Sequence, residues 1–243
     1  MKRLGDEKTA GIIGGMGPEA TVDLMQRIIR LTPALDDRDH IHCLVDNNPK
    51  VPSRIRAIIE GRGEDPGPFI AGMAQGLEAA GADFLAIACN TAHFYYDTVC
   101  AAVRIPVIHM VKSVLDHLTE YHPNCSDIGI LASPAIRITG LYDNILGPAG
   151  IRMIYPDPED QDRLFQVIRN VKAGDVGPGV QEQYDRVCGH LKEKGAGLAV
   201  VACTELSVLG RETGKALAVL DAAEVLAKRI VDVAKGIKPL TFF

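Results

Sequence analysis

The chain has 243 residues, with 47% hydrophobic and 23% charged residues and a formal net charge of −5, as in a globular protein of one large or two small domains. No apolar run is long enough to span a membrane, the polar N-terminus is unlike a signal peptide, and no basic block indicates nucleic-acid binding. We therefore predict a cytoplasmic protein with no membrane or nucleic-acid partner.

The six cysteines are spread along the chain without dense spacing. This pattern favours free thiols in a reducing compartment over a disulfide framework. Neither a Cys-x-x-Cys pair nor a His-x-x-x-His pair is present, so we predict no metal site.

The first predicted strand covers residues 9–15 and leads through a glycine-rich loop, Gly14-Gly15-Met16-Gly17, into a helix that starts at Pro18. Amides of such a loop, near Met16, can bind an anion at the helix N-terminus, and a carboxylate suits them as well as a phosphate. The same glycines loosely match a dinucleotide fingerprint, but Pro18 within the pattern weakens that interpretation.

A second strand over residues 41–46 ends in a polar loop with two prolines. Asn47 opens this loop and could bind an ammonium or carboxylate group, while the guanidinium of Arg54 could clamp a carboxylate. The following elements are listed here in chain order: helices over 55–60 and 69–80, a strand that ends near residue 88, a helix over 91–103 and a strand over 105–109.

The second half of the chain repeats this plan, with strands over 127–132 and 151–155, helices over 161–172 and 180–194, and a strand ending near residue 202. A strand over 216–220 and a helix over 222–233 complete it. Alternating strands and helices indicate parallel sheets. We predict an α/β fold with two pseudo-symmetric domains, each a mostly parallel sheet flanked by helices. Residues 1–112 plus 217–243 form one domain and residues 113–216 the other, with the active site in the cleft between them.

Ala88-Cys89-Asn90-Thr91 and Ala202-Cys203-Thr204-Glu205 match in context, because each follows a short apolar run. Each motif places a cysteine at the carboxyl end of a strand, the edge where parallel sheets carry functional groups. A helix that starts there favours the thiolate. A thiolate and a thiol together could move a proton from one face of a carbon to the other, so Cys89 and Cys203 are the candidate catalytic residues. The alternative is that both are buried core cysteines.

Three polar residues next to these cysteines, Asn90, Thr91 and Thr204, could bind an ammonium or carboxylate group. Cys89 and His93, which this spacing would put on one helix face, could instead form a nucleophilic pair for hydrolysis, but we expect His93 to be a helix-surface or packing residue. Lys172 ends a predicted helix, where its simplest role is to compensate the helix dipole.

Four motifs in this order resemble the cofactor-independent aspartate/glutamate racemases: residues 14–21, 48–54, 88–93 and 202–206. The resemblance implies two pseudo-symmetric α/β domains, a homodimer, and racemisation without pyridoxal phosphate or a metal. It places Cys89 and Cys203 on either side of the substrate α-carbon. It also assigns Arg54 and Lys172 to the substrate carboxylates.

Broad-specificity racemases of this architecture tend to lose the Pro-x-x-Pro-x-Arg loop and the lysine, and this chain keeps both. We therefore predict an acidic amino-acid substrate, with interconversion of L- and D-aspartate or glutamate. Maleate isomerase, hydantoin racemase or a broad-specificity amino-acid racemase would use the same cysteines. A nucleotide-binding oxidoreductase would depend on the glycine loop alone, and a non-catalytic amino-acid-binding protein would not need the thiols.

Overall fold

The computed structural model describes residues 7–209 and 216–239, and the chain divides into two compact units. The first unit comprises the residues up to Ser113 together with those from Ala223 onward, and the second comprises Val114 to Ala222. Each unit contains a four-stranded sheet. All strand pairs among the described residues are parallel, which confirms the predicted α/β class with two parallel sheets.

Both sheets share one strand order. In chain order, the strands are β1 (Ala10–Gly14), β2 (Cys43–Asn47), β3 (Phe84–Ile87), β4 (Val107–Ile108), β5 (Asp127–Leu131), β6 (Arg152–Ile154), β7 (Leu198–Val201) and β8 (Val219–Asp221). The first sheet has the order β2-β1-β3-β4, and the second has the order β6-β5-β7-β8. The internal repeat expected from the sequence is therefore a repeat of sheet topology.

The central strands are continuous apolar runs because helices cover both faces of a parallel sheet. Every residue of β1, β3 and β7 is buried, as is all of β5 after its first residue. The edge strand β2 is only partly covered, and Val45 within it is exposed.

Helices connect the strands and often begin with proline, which lacks the N–H that a first helical turn leaves unused. In chain order, the helices are α1 (Pro18–Leu31), α2 (Arg54–Ile58), α3 (Pro66–Ala79), α4 (Tyr96–Ala102), α5 (Met110–Tyr121), α6 (Pro134–Thr139), α7 (Asp143–Leu146), α8 (Pro158–Lys172), α9 (Pro178–Glu193), α10 (Thr204–Ser207) and α11 (Ala222–Ala234). Short 3₁₀ turns cover Asp37–Asp39, Thr91–Tyr95 and Gly147–Ala149. The sequence did not predict α5 or α7, and the predicted helix over 91–103 starts as a 3₁₀ turn.

The boundary between the units differs from the predicted one at its second crossing. Strand β8 pairs with β7, with Asp221 opposite Val201, so these residues belong to the second sheet. The chain returns to the first unit only after Ala222, later than the predicted residue 216.

Each unit has its own hydrophobic core, and each core includes one of the two candidate catalytic cysteines. Cys89 belongs to the cluster that contains Met16 and Tyr95, and Cys203 belongs to the cluster that contains Leu206. Burial of one large apolar side chain contributes about 1.5–3 kcal/mol. The loops that carry the two thiols are thus held by core packing as well as by hydrogen bonds.

Candidate active site

The two cysteines occupy equivalent positions in their own sheets. Cys89 is the second residue after β3, and Cys203 is the second residue after β7. The alanine before each cysteine makes one more backbone hydrogen bond to the neighbouring strand. The N–H of Ala88 donates over 2.9 Å, and the N–H of Ala202 donates over 2.8 Å. Both cysteines are buried, with 6% and 8% of their surface exposed. Each is fixed at the carboxyl end of a central strand.

The residues that follow the cysteines are buried as well. Asn90 precedes the 3₁₀ turn that Thr91 begins, and Asn90 and Thr204 are almost fully buried. Within residues 7–209 and 216–239, the Oγ1 hydroxyl of Thr204 has no hydrogen-bond partner. Because a buried hydroxyl normally has one, this group is available to a ligand.

His93 holds the Cys89 loop through its ring. One ring nitrogen, Nδ1, lies 2.8 Å from the carbonyl oxygen of Cys89, and the other, Nε2, accepts the N–H of Met110 over 3.0 Å. This geometry assigns the neutral ring with its proton on Nδ1. Burial lowers the pKa of His93 to about 4. Both nitrogens are committed to backbone groups, so His93 cannot act as the base of a nucleophilic Cys–His pair.

The same contact explains the 3₁₀ turn. In an α-helix the N–H of His93 would bond the Cys89 carbonyl four residues earlier. The imidazole ring takes that carbonyl, and the N–H of His93 bonds the carbonyl of Asn90.

The glycine-rich loop is packed tightly against the chain that follows β2. Gly15 has φ +87°, and a Cβ placed on it would lie 2.2 Å from the backbone carbon of Asn48. The N–H of Gly15 donates to Thr21 Oγ1 over 2.9 Å. Only glycine fits this position, because of its positive φ and the close backbone approach.

Arg54 joins the glycine loop to the proline-containing loop. Its Nη2 donates to the Met16 carbonyl over 3.2 Å, and its Nη1 donates to the carbonyl of Pro52 over 3.0 Å. Its Nε is buried with no hydrogen-bond partner in the described part of the chain. Burial and Asp65 raise the pKa of Tyr95, and the positive charge of Arg54 lowers it. The guanidinium therefore bonds neutral carbonyls and retains a donor for a ligand.

Asn47 lies at the same edge of the first sheet. It ends β2 and pairs in register with Gly14, the last residue of β1. The structure thus brings Met16, Arg54 and Asn47 to the edge that carries Cys89.

In the second unit, the Cys203 thiol donates to Glu205. Its Sγ lies 3.1 Å from Oε2 of Glu205 in a buried contact. Burial raises the pKa of Cys203 well above its usual value, and the charge and hydrogen bond of Glu205 raise it further, whereas Lys172 lowers it. The backbone N–H of Glu205 favours the thiolate, as expected at a helix start, but burial and the Glu205 carboxylate outweigh this effect. Helix α10 has only four residues, so its dipole is weak.

Lys172 lies beside Glu205 and forms an ion pair with it. Its Nζ is 3.1 Å from Oε1 of Glu205, and 40% of its side-chain surface is exposed. The family resemblance assigned Lys172 to a substrate carboxylate, and the structure places it near Cys203 with its charge partly neutralised by Glu205.

Two residues near Cys203 were not predicted as functional. Glu205 bridges the thiol and the lysine, and the fully buried Tyr142 interacts electrostatically with Cys203. The Cys-x-Glu spacing at a helix start was a usable signal for Glu205. No local pattern indicated Tyr142.

Within residues 7–209 and 216–239, no group of three or more His, Cys, Asp or Glu side chains could hold a metal ion. In the same part of the chain, no helix has the length and apolar character needed to cross a membrane.

Two α/β units with the same strand order form a fold that this chain shares with solved racemases. The family model described as Asp/Glu/Hydantoin racemase matches residues 13–230. The chain belongs to this family and is therefore an isomerase of the racemase class. This confirms the family resemblance drawn from the four motifs.

Individual relatives support the assignment. The chain is 27% identical to the broad specificity amino-acid racemase RacX of Bacillus subtilis (strain 168) over 91% of this chain and 96% of that protein. The aspartate racemase of Picrophilus torridus has a TM-score of 0.84 at 29% identity, over 94% of each chain. A glutamate racemase of Francisella tularensis subsp. tularensis SCHU S4, solved with D-glutamate, shares the fold with a TM-score of 0.70 at 18% identity, over 96% of this chain and 82% of that one.

Proposed function

We propose that this protein interconverts the L and D forms of aspartate or glutamate by two-base proton transfer between two cysteines. The observation that carries the proposal is the equivalence of the thiols. The two sheets have the same strand order, and each thiol is the second residue after the corresponding strand of its own sheet. A racemase needs one proton acceptor and one proton donor of matched reach, and a duplicated thiol supplies both.

In the proposed step, the Cys89 thiolate takes the α-proton and forms an S–H bond as the α-C–H bond breaks. The Cys203 thiol delivers its proton to the opposite face, so one S–H bond breaks and a new α-C–H bond forms. The thiols alone balance the protons, and the proposal includes neither pyridoxal phosphate nor a metal. Negative charge that develops on the substrate carboxylate needs donors already in place.

Arg54 is the residue we propose for recognition of an acidic substrate. Its charge is not neutralised by the carbonyls that it bonds, and a guanidinium suits a carboxylate. We propose that Lys172 takes the second carboxylate in exchange for, or together with, Glu205. The polar groups proposed to complete the site are the Met16 loop amides, Asn47, Asn90, Thr91 and Thr204.

Broad amino-acid specificity is the second candidate. The pairing of Lys172 with Glu205 favours it, since this pair leaves less free positive charge for a side-chain carboxylate. The 27% identity with RacX is consistent with it. We also propose a homodimer as the working form, which the sequence resemblance implies, and a cytoplasmic location, which the dispersed cysteines favour.

The test is hydrogen exchange in D2O with each enantiomer of aspartate, glutamate and alanine, in the presence of a chelator and without pyridoxal phosphate. NMR would follow loss of the α-proton, and chiral chromatography would follow inversion. We expect deuterium to appear first in the enantiomer that forms, because the two bases act on opposite faces. The Cys89→Ser, Cys203→Ser double variant is the matched control.

The outcomes separate the candidates. Turnover of aspartate or glutamate but not alanine supports the acidic substrate, and comparable turnover of alanine supports broad specificity. Binding of aspartate without exchange from any enantiomer would point to a non-catalytic binding protein and refute the racemase proposal. Maleate and a substituted hydantoin, added as further substrates, test the two related isomerases.

A further inference from the structure

A buried thiol, a carboxylate and a lysine form a continuous cluster in the second unit. The Sγ of Cys203 and Oε2 of Glu205 are 3.1 Å apart, and Oε1 of the same carboxylate is 3.1 Å from Nζ of Lys172. The exposed side-chain fraction is 11% for Glu205 and 40% for Lys172. The carboxylate thus lies between the buried sulfur and a lysine that reaches solvent.

The first unit has no carboxylate at the matching position after its cysteine. The residue two positions after Cys89 is Thr91, which is the position that Glu205 occupies after Cys203. The ring at the fourth position, His93, is neutral and bonds only backbone groups. The two thiols therefore share a backbone position but differ in the side chain two residues on, a hydroxyl after Cys89 and a carboxylate after Cys203.

We propose that Glu205 is a positioning residue that holds Cys203 as the protonated thiol in the resting enzyme, which makes Cys203 the resting acid and Cys89 the resting base. This inference rests on the proposed two-base function. A thiolate at Cys203 would lose its hydrogen bond and face a carboxylate at 3.1 Å in a buried site. Lys172 offsets part of that repulsion, so the thiolate stays accessible during turnover.

Other titratable groups that interact with this cluster do not replace Glu205. Asp221 accepts the hydroxyl of Ser207 over 2.8 Å, and Tyr142 is fully buried, with a pKa that burial raises well above its usual value. Tyr142 therefore stays neutral near physiological pH.

Each thiol then acts as the base for one enantiomer. The resting enzyme accepts the enantiomer whose α-proton faces Cys89, and after one turnover Cys89 carries the proton and Cys203 is the thiolate. Release of a proton from Cys89 to solvent and uptake of one by Cys203 restore the resting state.

The experiment is thiol alkylation resolved by residue. The protein, without substrate, is treated briefly with iodoacetamide between pH 6 and pH 9, and peptide mass spectrometry measures labelling of Cys89, Cys203 and Cys188. In the natural protein, Cys89 should react faster than Cys203 at neutral pH, because only the thiolate is nucleophilic. Glu205→Gln should raise the Cys203 rate relative to Cys89 by about tenfold or more and shift its pH profile to lower pH.

Lys172→Met is the opposing variant and should slow Cys203 labelling. Cys188, which is fully buried in the same unit, reports any general opening of the fold. If Glu205→Gln opens the fold, the Lys172→Met arm still decides, because unfolding would accelerate labelling and the proposal predicts a decrease. Equal reactivity of the two thiols in the natural protein, or an unchanged Cys203 to Cys89 ratio in both variants, would overturn the inference. Alkylation needs no turnover, so this result is independent of the racemase assay.

Discussion

The two cysteine loops have the same backbone framework and different side chains. Each loop leaves a central strand at the same register and is tied to the neighbouring strand by the alanine before the cysteine. Two residues on, the first loop has Thr91 and the second has Glu205. The fold fixes where the thiols lie, and the flanking side chains set their charge environment separately.

The fourth position after each cysteine extends the comparison. His93 bonds the Cys89 carbonyl over 2.8 Å, while the Ser207 hydroxyl lies 3.5 Å from the Cys203 carbonyl and 2.8 Å from Asp221. The carboxylate makes the shorter contact and competes for the single serine proton. The first loop is therefore held by a titratable ring, and the second by a weaker hydroxyl contact.

The largest expected effect comes from replacing either thiol, which tests whether both are needed for racemisation. Cys89→Ser and Cys203→Ser should each lower the racemisation rate by about 10²–10⁴-fold, since a hydroxyl is a poor proton acceptor at neutral pH. Chiral chromatography of aspartate measures the loss. If either single variant keeps the natural rate, the equivalence fails and the two-base scheme with it.

Two other cysteines provide matched controls for that loss. Cys43 starts β2 in the first unit, and Cys125 precedes β5 in the second. Both lie at the opposite ends of their sheets from the catalytic candidates. Cys43→Ser and Cys125→Ser should therefore retain racemase activity within about twofold, as substitutions away from a site usually do.

The glycine loop is the next point of difference. Gly15 in the first unit corresponds by register to Ser133 in the second. Gly15→Ala should lower the free energy of unfolding by roughly 2–4 kcal/mol, because of its positive φ and the collision with Asn48. Ser133→Ala should cost less than about 1 kcal/mol, since the serine makes no side-chain capping bond.

Urea unfolding monitored by circular dichroism measures both effects. The control is Gly72→Ala in α3, where an added Cβ meets no atom within 4 Å and should stabilise the helix by about 0.5–1 kcal/mol. A Gly15→Ala variant as stable as the natural protein would show that the loop does not require glycine.

The two cations differ in how their charge is compensated, which predicts a difference in specificity. Arg54 bonds neutral carbonyls, and Lys172 forms an ion pair with a carboxylate. Arg54→Gln should lower kcat/KM for aspartate by about 10-fold to 100-fold, the value of a lost hydrogen bond to a charged group. Lys172→Gln should lower kcat/KM for aspartate by a smaller factor than Arg54→Gln does. The reverse order would make Lys172 the main determinant of the acidic substrate.

Features set by local pattern could be predicted from the sequence. The apolar runs before Cys89 and Cys203 indicated two strands and the position of each thiol, and the proline at the start of α1 indicated that helix. Side-chain contacts between distant elements could not be predicted. Lys172 and Glu205 meet only because α8 and the Cys203 loop lie together in the fold. The 3₁₀ turn depends on a ring contact that no propensity describes.

The smallest expected effect is a pH dependence of the free energy of unfolding. It arises from His93, the fourth residue after Cys89, and distinguishes the first cysteine loop from the second. The pKa of His93 is about 4 in the folded protein, below its usual 6.5, because of burial. The unfolded chain therefore binds the proton first as the pH falls. The stability that His93 contributes is complete above pH 6.5 and is lost between pH 6.5 and pH 4. At pH 5.5 the loss should be about 1 kcal/mol relative to pH 7.5.

His109, whose pKa burial lowers to about 2, acts in the same direction, so His93→Gln should reduce the pH dependence of unfolding without abolishing it. Ser207→Ala, at the equivalent position of the second loop, should leave that dependence unchanged. Urea unfolding at pH 7.5 and pH 5.5 measures it, and hydrogen exchange by mass spectrometry assigns it to a unit. Because both histidines lie in the first unit, protection around Cys89 should fall before protection around Cys203. A similar decrease in both units would mean that the histidine contact does not distinguish the two loops.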